Sequence, residues 1–499
     1  MVWRPCSVDG IPSVIPSTEC LRNATFPWLR DSTARFSARG LTTLVKGHAV
    51  SDKPKIKDLL DESACEHNAT KKKACNTTTP GATSGGCAFE GAQISLFPYA
   101  DAAHLVHGPL TCLSSSWETR ATPTSYEGRD MTQMGFTTAV TTNDVIFGGE
   151  DKLYDGIVYV MEHYDPKAIF VYSTCVTAMI GDDIDVVCRH AEKKFNIPIV
   201  PVHAPGFVGG KNLGSRLGGE AVLKNLIGRK EPQGDVSHAI NLIGDYNVTG
   251  DMWQYKPILD ELGIRILSTL SGDGRIDEIC TAHRAKLNVI VCAKSLVTFT
   301  RKMKERYGIP FVSVSFYGQR DTTNAIMAIA EGIGDPELIE RTRKVLAREE
   351  QRLDEQLTPY RELFKGKKAV LNTGGNKSWS IASALQDLGI EVVATSVRKA
   401  TEADKEKARE YLGENGVLMT NPGAEQAKMI DKFKADLLLA GGRSLYTAIK
   451  KGISFIDVNQ EKKKSYGAYN GLLSLAEDVK NALENPVFRC VRKEVPWEK

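Results

Sequence analysis

Long hydrophobic runs are missing from this 499-residue chain. Its longest apolar stretches, such as Ala168 to Tyr172 and Leu437 to Ala440, are strand-length and far short of the ~20 residues that span a bilayer. No membrane is expected. An excess of one charge is missing too: 64 Lys and Arg stand against 61 Asp and Glu, and no lysine-rich face or arm stands out. Nucleic acid is not an expected partner. The dense, even cysteine framework of a small secreted domain is also absent. The 11 cysteines are an odd count, spread at long, irregular spacings from Cys6 to Cys490. Four Asn-x-Thr sequons (Asn23, Asn68, Asn76 and Asn247) have no apolar leader before them, so the chain reads as cytoplasmic. In a reducing compartment, widely separated cysteines at turns are candidate metal or cluster ligands.

What is present is an ordinary globular composition, 42% apolar and 25% charged, with length for about three domains. Residues 1–53 mix Pro, Arg, Ser and Thr without period and are expected to be disordered. Residues 54–86 read as a short helix over Ile56 to Cys65 and a polar linker containing Pro80-Gly81 and Gly85-Gly86. From Cys87 onward strands and helices alternate. Ala168 to Tyr172, Ile199 to Val202, Ala239 to Ile243, Arg265 to Leu267, Asn288 to Val291 and Phe311 to Val314 are apolar runs of buried parallel strands. Two helices then follow, Thr322 to Gly334 and Glu337 to Phe364. Strands resume at Ala369 to Leu371, Val392-Val393, Val417 to Met419, Leu437 to Leu439 and Ile453 to Ile456. The expected fold is α/β: three Rossmann-like, doubly wound parallel-sheet domains over 87–235, 236–366 and 367–499, the last ending in a C-terminal helix, with cluster sites between them. Ligands of such sheets sit beyond the carboxyl ends of the strands.

Three cysteines carry turn-rich neighbourhoods: Cys87-Ala-Phe-Glu-Gly-Ala-Gln93, His104-Leu-Val-His-Gly-Pro-Leu-Thr-Cys112, and Ser173-Thr-Cys175 with Gly181-Asp-Asp183 beyond it. The pattern places each at a strand or loop end, where free backbone amides can point at sulfur, as an iron-bound thiolate needs. A cysteine taken alone is more often a small buried hydrophobe, and Cys188 and Cys280, on helical stretches, are read that way. Cys65 and Cys75 with His67 lack a fourth ligand for a metal site. His104, His190 and His283 are read as structural.

His107-Gly-Pro-x-x-Cys112, Cys175-x5-Gly181-Asp-Asp183, Thr373-Gly-Gly375 and Asp457-Val-Asn-Gln460 resemble the nitrogenase component 1 family, which includes cofactor-assembly scaffolds. Ala64-Cys-Glu-His-Asn68 and the stretch Ser378 to Gly389 extend the resemblance from about Lys55 to the C-terminus, on the scaffold α-type side. It implies that Cys87, Cys112 and Cys175 hold a [4Fe-4S] cluster shared with a partner subunit, which supplies the fourth thiolate. Thr111, where the family has Ala or Gly, is a mild departure. It also implies that Cys292 anchors an iron-molybdenum cofactor precursor. Catalytic α subunits have a metal-binding histidine where Asn459 stands, and a Gln and a His where Lys211 and Ser215 stand. The loop Thr373 to Ser378 lacks the Gly-Lys-Ser/Thr order of a phosphate loop; it is read instead as the strand-helix turn facing the cofactor, where Lys377 attracts an anionic cluster or its organic acid. The implied role in nitrogen fixation is a scaffold that holds the precursor during molybdenum and homocitrate insertion. The implied partners are a β-type subunit (NifN) in an α2β2 heterotetramer, the nitrogenase iron protein, a precursor supplier (NifB) and the apo-nitrogenase acceptor. Two alternatives are a catalytic nitrogenase α subunit, which Asn459 disfavours, and a chlorophyll-synthesis reductase, which Cys292 disfavours.

Overall fold

The computed structural model describes residues 86–117, 124–125, 134–291, 293–374, 377–397, 402–458 and 464–491. The expectations for residues 1–53, for the helix and linker before Gly86, and for Cys65, Cys75, His67, Cys292 and Asn459 themselves lie outside the described residues.

Each apolar run becomes a strand of one of three parallel sheets. The first has the order β2-β1-β3-β4, from β1 (Ala102–His107), β2 (Gly135–Thr137), β3 (Ala168–Ser173) and β4 (Ile199–Val202). The second is β6-β5-β7-β8, from β5 (Ala239–Ile243), β6 (Arg265–Leu270), β7 (Leu287–Ile290) and β8 (Phe311–Ser313). The third is β11-β10-β9-β12-β13, from β9 (Lys368–Asn372), β10 (Glu391–Ser396), β11 (Val417–Met419), β12 (Leu437–Ala440) and β13 (Ser454–Asp457). Central strands such as β3 and β5 are buried at every position, which is why they read as unbroken apolar runs.

Parallel neighbours need crossover connections, and helices supply them. Around the first sheet lie α1 (Ala88–Leu96), α2 (Leu110–Trp117), α3 (Thr142–Phe147), α4 (Glu150–Tyr164), α5 (Cys175–Ile180), α6 (Ile184–Phe195) and α7 (Lys211–Asn225). The second stretch carries α8 (Asp251–Glu261), α9 (Ile276–Thr281), α10 (Ala293–Tyr307), α11 (Gln319–Ile333) and α12 (Pro336–Phe364). The third carries α13 (Lys377–Asp387), α14 (Glu402–Leu412), α15 (Pro422–Phe433), α16 (Leu445–Lys451), α17 (Ala468–Glu484) and α18 (Pro486–Val491). The long α12 starts where its caps dictate: Asp335 accepts the Glu337 amide, and Pro336 takes the first position. One core joins the second and third sheets through Tyr255, Phe364, Ile381 and Leu472, while another joins the first and second through Phe170, Val200, Ile243 and Phe299. Among the described residues no helix is long and apolar enough to cross a membrane.

The strand orders fix where ligands can sit. Each chain path reverses once, between β1 and β3, between β5 and β7, and between β9 and β12. At such a switch the connections leave in opposite directions and open a crevice beyond the strand ends. Cys112 follows β1 and Cys175 follows β3; Lys377 follows β9.

Candidate functional site

The first thiol is placed by a helix crossing. α1 and α7 touch backbone to backbone because Gly91 faces Lys211 and Gly214 faces Ala88; a methyl at either would collide with the opposing carbonyl oxygen. Ser215, buried, locks the crossing by donating to the Gly91 carbonyl at 3.0 Å. The crossing sets Cys87, the residue capping the start of α1, in a β-bridge with Gly210. Lys211 forms an ion pair with Glu90, one turn from Cys87.

The other two thiols leave adjacent strands. After β1 the Gly108-Pro109 turn starts α2, and the Cys112 amide donates to the Pro109 carbonyl at 3.1 Å. After β3, Thr174 caps α5, with Thr177 completing a reciprocal capping box, and Cys175 is the first helical residue. The sequence pattern places the cysteines at strand or loop ends; the structure puts all three at helix starts. Pro109 and Thr174 are helix-starting residues, so the helix begins before the chain has cleared the sheet.

Cys87 and Cys175 converge on Gly206, which opens a 3-10 turn beyond β4. A methyl there would lie 3.0 Å from the Cys175 sulfur and 3.2 Å from that of Cys87. Cys112 shares their field: burial pushes its thiol pKa up, and Cys175 and Cys87 push it further. Such a thiol ionises when a metal takes the proton's place. Among the described residues no three His, Cys, Asp or Glu side chains gather around one ion position. A cluster does not require that, since each thiolate binds a different iron. Half-buried thiols with a glycine between them fit such a group.

A second constellation lies where the second and third sheets face each other. Lys377, at the start of α13, donates to the Val458 carbonyl at 3.4 Å and lies 5.9 Å from the centre of the Tyr317 ring. Val458 immediately precedes Asn459. Asp245, just beyond β5, accepts the Asn247 amide at 2.8 Å and the Tyr255 hydroxyl. Burial raises its pKa to about 6; Asp251 adds to this, and Tyr255, Asn247 and Lys377 oppose it. Asp251 in turn accepts Tyr317 Oη at 2.7 Å and the amides of Tyr466 and Gly467. The Val291 amide donates to the Ile243 carbonyl at 2.9 Å, beside the end of β5. Asp245 and Asp251 are functional candidates that the sequence reading passes over. Their signal is a run of polar residues, Asp245-Tyr246-Asn247, directly after an apolar strand.

The structural readings of other residues hold. Cys188 and Cys280 are buried in α6 and α9, and burial raises both thiols, Cys280 to about 11. His104 is buried, bonds Tyr172 Oη at 2.8 Å, and is pushed by burial to a pKa of about 3. His283 bonds Glu231 at 3.2 Å, and His190 packs on Tyr154.

Three parallel sheets, with thiols at the switch point of the first and a charged crevice between the other two, are the frame of a nitrogenase-type component. The chain belongs to the nitrogenase component 1 type oxidoreductase family, whose model matches residues 87–484. It is 50% identical over 453 residues to the nitrogenase iron-molybdenum cofactor biosynthesis protein NifE of Rippkaea orientalis, covering 89% of this chain and 96% of the relative. To the protein of the same name from Klebsiella pneumoniae it is 45% identical over 450 residues, covering 88% and 98%. A solved structure of nitrogenase Cp1 at pH 5 superposes with a TM-score of 0.75 at 25% identity, covering 87% of this chain and 95% of that one. The expected fold class and family therefore hold.

Proposed function

We propose that this chain is the α-type scaffold subunit for biosynthesis of the nitrogenase iron-molybdenum cofactor: it holds an iron-sulfur precursor during molybdenum and homocitrate insertion and passes it to apo-nitrogenase. The observation that carries the reading is the meeting of Cys87 and Cys175 at Gly206, in a chain whose relatives are cofactor biosynthesis proteins. Cys87, Cys112 and Cys175 hold a [4Fe-4S] cluster, and a β-type subunit, NifN, supplies the fourth thiolate in an α2β2 assembly. When bound, that cluster supplies one-electron transfer. An apolar rim supports a subunit interface here: Leu110, Met179, Phe207 and Val208 are exposed and lie within four residues of Cys112, Cys175 or Gly206. Ile146 and Phe147 at the end of α3 add a second exposed apolar patch, Phe147 being 86% exposed.

Cys292 anchors the precursor delivered by NifB, and Asn459 and Lys377 are its further contacts. Lys377 and Lys211 offer positive charge to an anionic cargo, each partly offset by a nearby carboxylate, Asp245 or Glu90. A weakened pull suits temporary holding. A cargo held by one thiolate leaves when a single bond breaks, whereas an acceptor offering an additional imidazole binds it more tightly, each ~1.4 kcal/mol shifting the balance tenfold. Asn459→His is therefore expected to slow molybdenum transfer to apo-nitrogenase from equally loaded protein. Equal transfer rates would remove this account of delivery. The test of the whole reading is anaerobic purification with the partner, followed by iron, sulfide and molybdenum analysis. Iron at both sites, with molybdenum present only after insertion, is expected; iron-free, fully assembled protein would overturn it.

A further inference from the structure

Lys377 lies close enough to Asp245 to lower its pKa, yet among the described residues it pairs with no carboxylate. Its ammonium donates to the Val458 carbonyl at 3.4 Å and sits 5.9 Å from the centre of the Tyr317 ring. Both partners are neutral. An ammonium carries three donors, so the bond to Val458 leaves two for a ligand. Thr373, buried just beyond β9 and four residues before Lys377, has a hydroxyl with no hydrogen-bond partner among the described residues. The turn into α13 therefore presents a cation and a buried hydroxyl that a polar ligand would satisfy.

The carboxylates stay off Lys377 because other donors already fill them. Asp251, the first residue of α8, takes Tyr317 Oη on Oδ2 at 2.7 Å. Its Oδ1 takes the Ser465 hydroxyl and the amides of Tyr466 and Gly467, at 3.2 and 3.1 Å. Gly467 has to be small there, since a methyl would lie 3.0 Å from Asp251 Cβ. The two oxygens thus do different work: Oδ1 ties the segment before α17 to α8, and Oδ2 answers Tyr317. Burial, with Asp251 beside it, holds the Tyr317 hydroxyl well above the usual phenol range, so it remains a donor. Asp245 is filled in the same manner, by Tyr255 Oη on Oδ2 and the Asn247 amide on Oδ1. A carboxylate left unfilled in this crevice would draw the ammonium to itself, because charges away from bulk water are weakly screened. Tyr317 acts at both ends: its hydroxyl fills the carboxylate, and the face of its ring attracts the cation.

We propose that Tyr317 is a positioning residue for the cargo site: its hydroxyl occupies Asp251 while its ring seats Lys377, which keeps the ammonium available to anionic cargo. The proposal rests on the reading above that Lys377 contacts the precursor.

The experiment uses the assembled complex, purified anaerobically with its precursor bound. Precursor iron lost to an added iron chelator is followed with time, in the unaltered chain and in each variant. Lys377→Met tests the underlying reading: escape should be roughly tenfold faster, the worth of one hydrogen bond from a charged group. An unchanged rate would remove the Lys377 contact, and the proposal with it. Tyr317→Phe keeps the ring but frees Oδ2, so its escape should approach the Lys377→Met rate. Adding Asp251→Asn removes the freed charge while the remaining Oδ1 still accepts, and should restore the unaltered rate. A tyrosine with a merely structural role would not be rescued by deleting a charge. A normal rate in Tyr317→Phe, or no recovery in the double variant, would overturn the proposal and leave the Lys377 contact standing. Should Tyr317→Phe fail to assemble, Asp251→Asn alone decides: with the opposing charge gone, escape should slow, and an unchanged or faster rate would overturn the proposal.

Discussion

The switch point of the first sheet and the crevice between the second and third are built from opposite materials. Around Cys87, Cys112 and Cys175 most supports are uncharged hydroxyls, amides and a glycine that leaves room for sulfur, and the charges present are already paired, Lys211 with Glu90 and Asp182 with His107. Across the other crevice the supports are charged. Asp245 and Asp251 face Lys377, with Tyr255 and Tyr317 between them. Neutral hydrogen bonds hold a geometry without competing for ionic cargo, which suits a resident ligand. Opposed charges exert a field with little net pull, which suits cargo that must leave.

The largest expected effect tests whether the first region is the resident site. Replacing Cys87, Cys112 or Cys175 with Ser substitutes a harder, less readily ionised ligand, and bridging-cluster iron should fall sharply. Cys188→Ala, in the core of the same sheet, should leave it in place. Unchanged iron in all three Ser variants would erase the distinction between the regions.

Cys292→Ala sharpens the comparison from the other side. It should lose the precursor while the bridging cluster and the partner contact persist, read by size-exclusion chromatography and iron analysis of one sample. Collapse of the assembly would mean that the two regions are not independent.

A smaller effect reports the charge of the second crevice. Folded Asp245, with a pKa of about 6, keeps its proton to a higher pH than the unfolded chain does, near 3.8. Its favourable contribution is therefore full below about pH 4 and lost as pH passes about 6. Asp245→Asn mimics the protonated form, so the variant should gain stability relative to the unaltered chain across that window, by at most ~3 kcal/mol, and then level off. Denaturant titrations at several pH values test this; a pH-independent difference would show that the carboxyl is not held protonated.

The smallest effect concerns space. Gly206→Ala puts a methyl 3.0 Å from the Cys175 sulfur and 3.2 Å from the Cys87 sulfur. Overpacking of this kind costs ~1–3 kcal/mol, and bridging iron should fall in parallel. Normal stability and iron would show that the sulfurs do not need the gap.

Much of the architecture was legible because a buried parallel strand has no polar face to interrupt its apolar run. β3, β5 and β12 declare themselves in this way. β1 does not: His104 and His107 break its apolar pattern, and both are buried, His104 with its Nδ1 bonded to Tyr172 and His107 bonded to Thr138 and Asp182. The partners lie on other elements, so no local pattern reveals them. Lys211 shows the same limit. The tight crossing of α1 and α7 pairs it with Glu90, on a segment distant in sequence.

The sequence by itself determined the strand runs, the helix caps and the presence of cysteines at turns, because those depend on residues within a few positions of each other. Only the tertiary structure decided that Cys87 and Cys175 meet at Gly206, that His107 finds Asp182, and that Asp245 is buried near Lys377. Each of these depends on strand order and on a helix crossing, which bring distant segments together and remove the water that would otherwise screen or satisfy them.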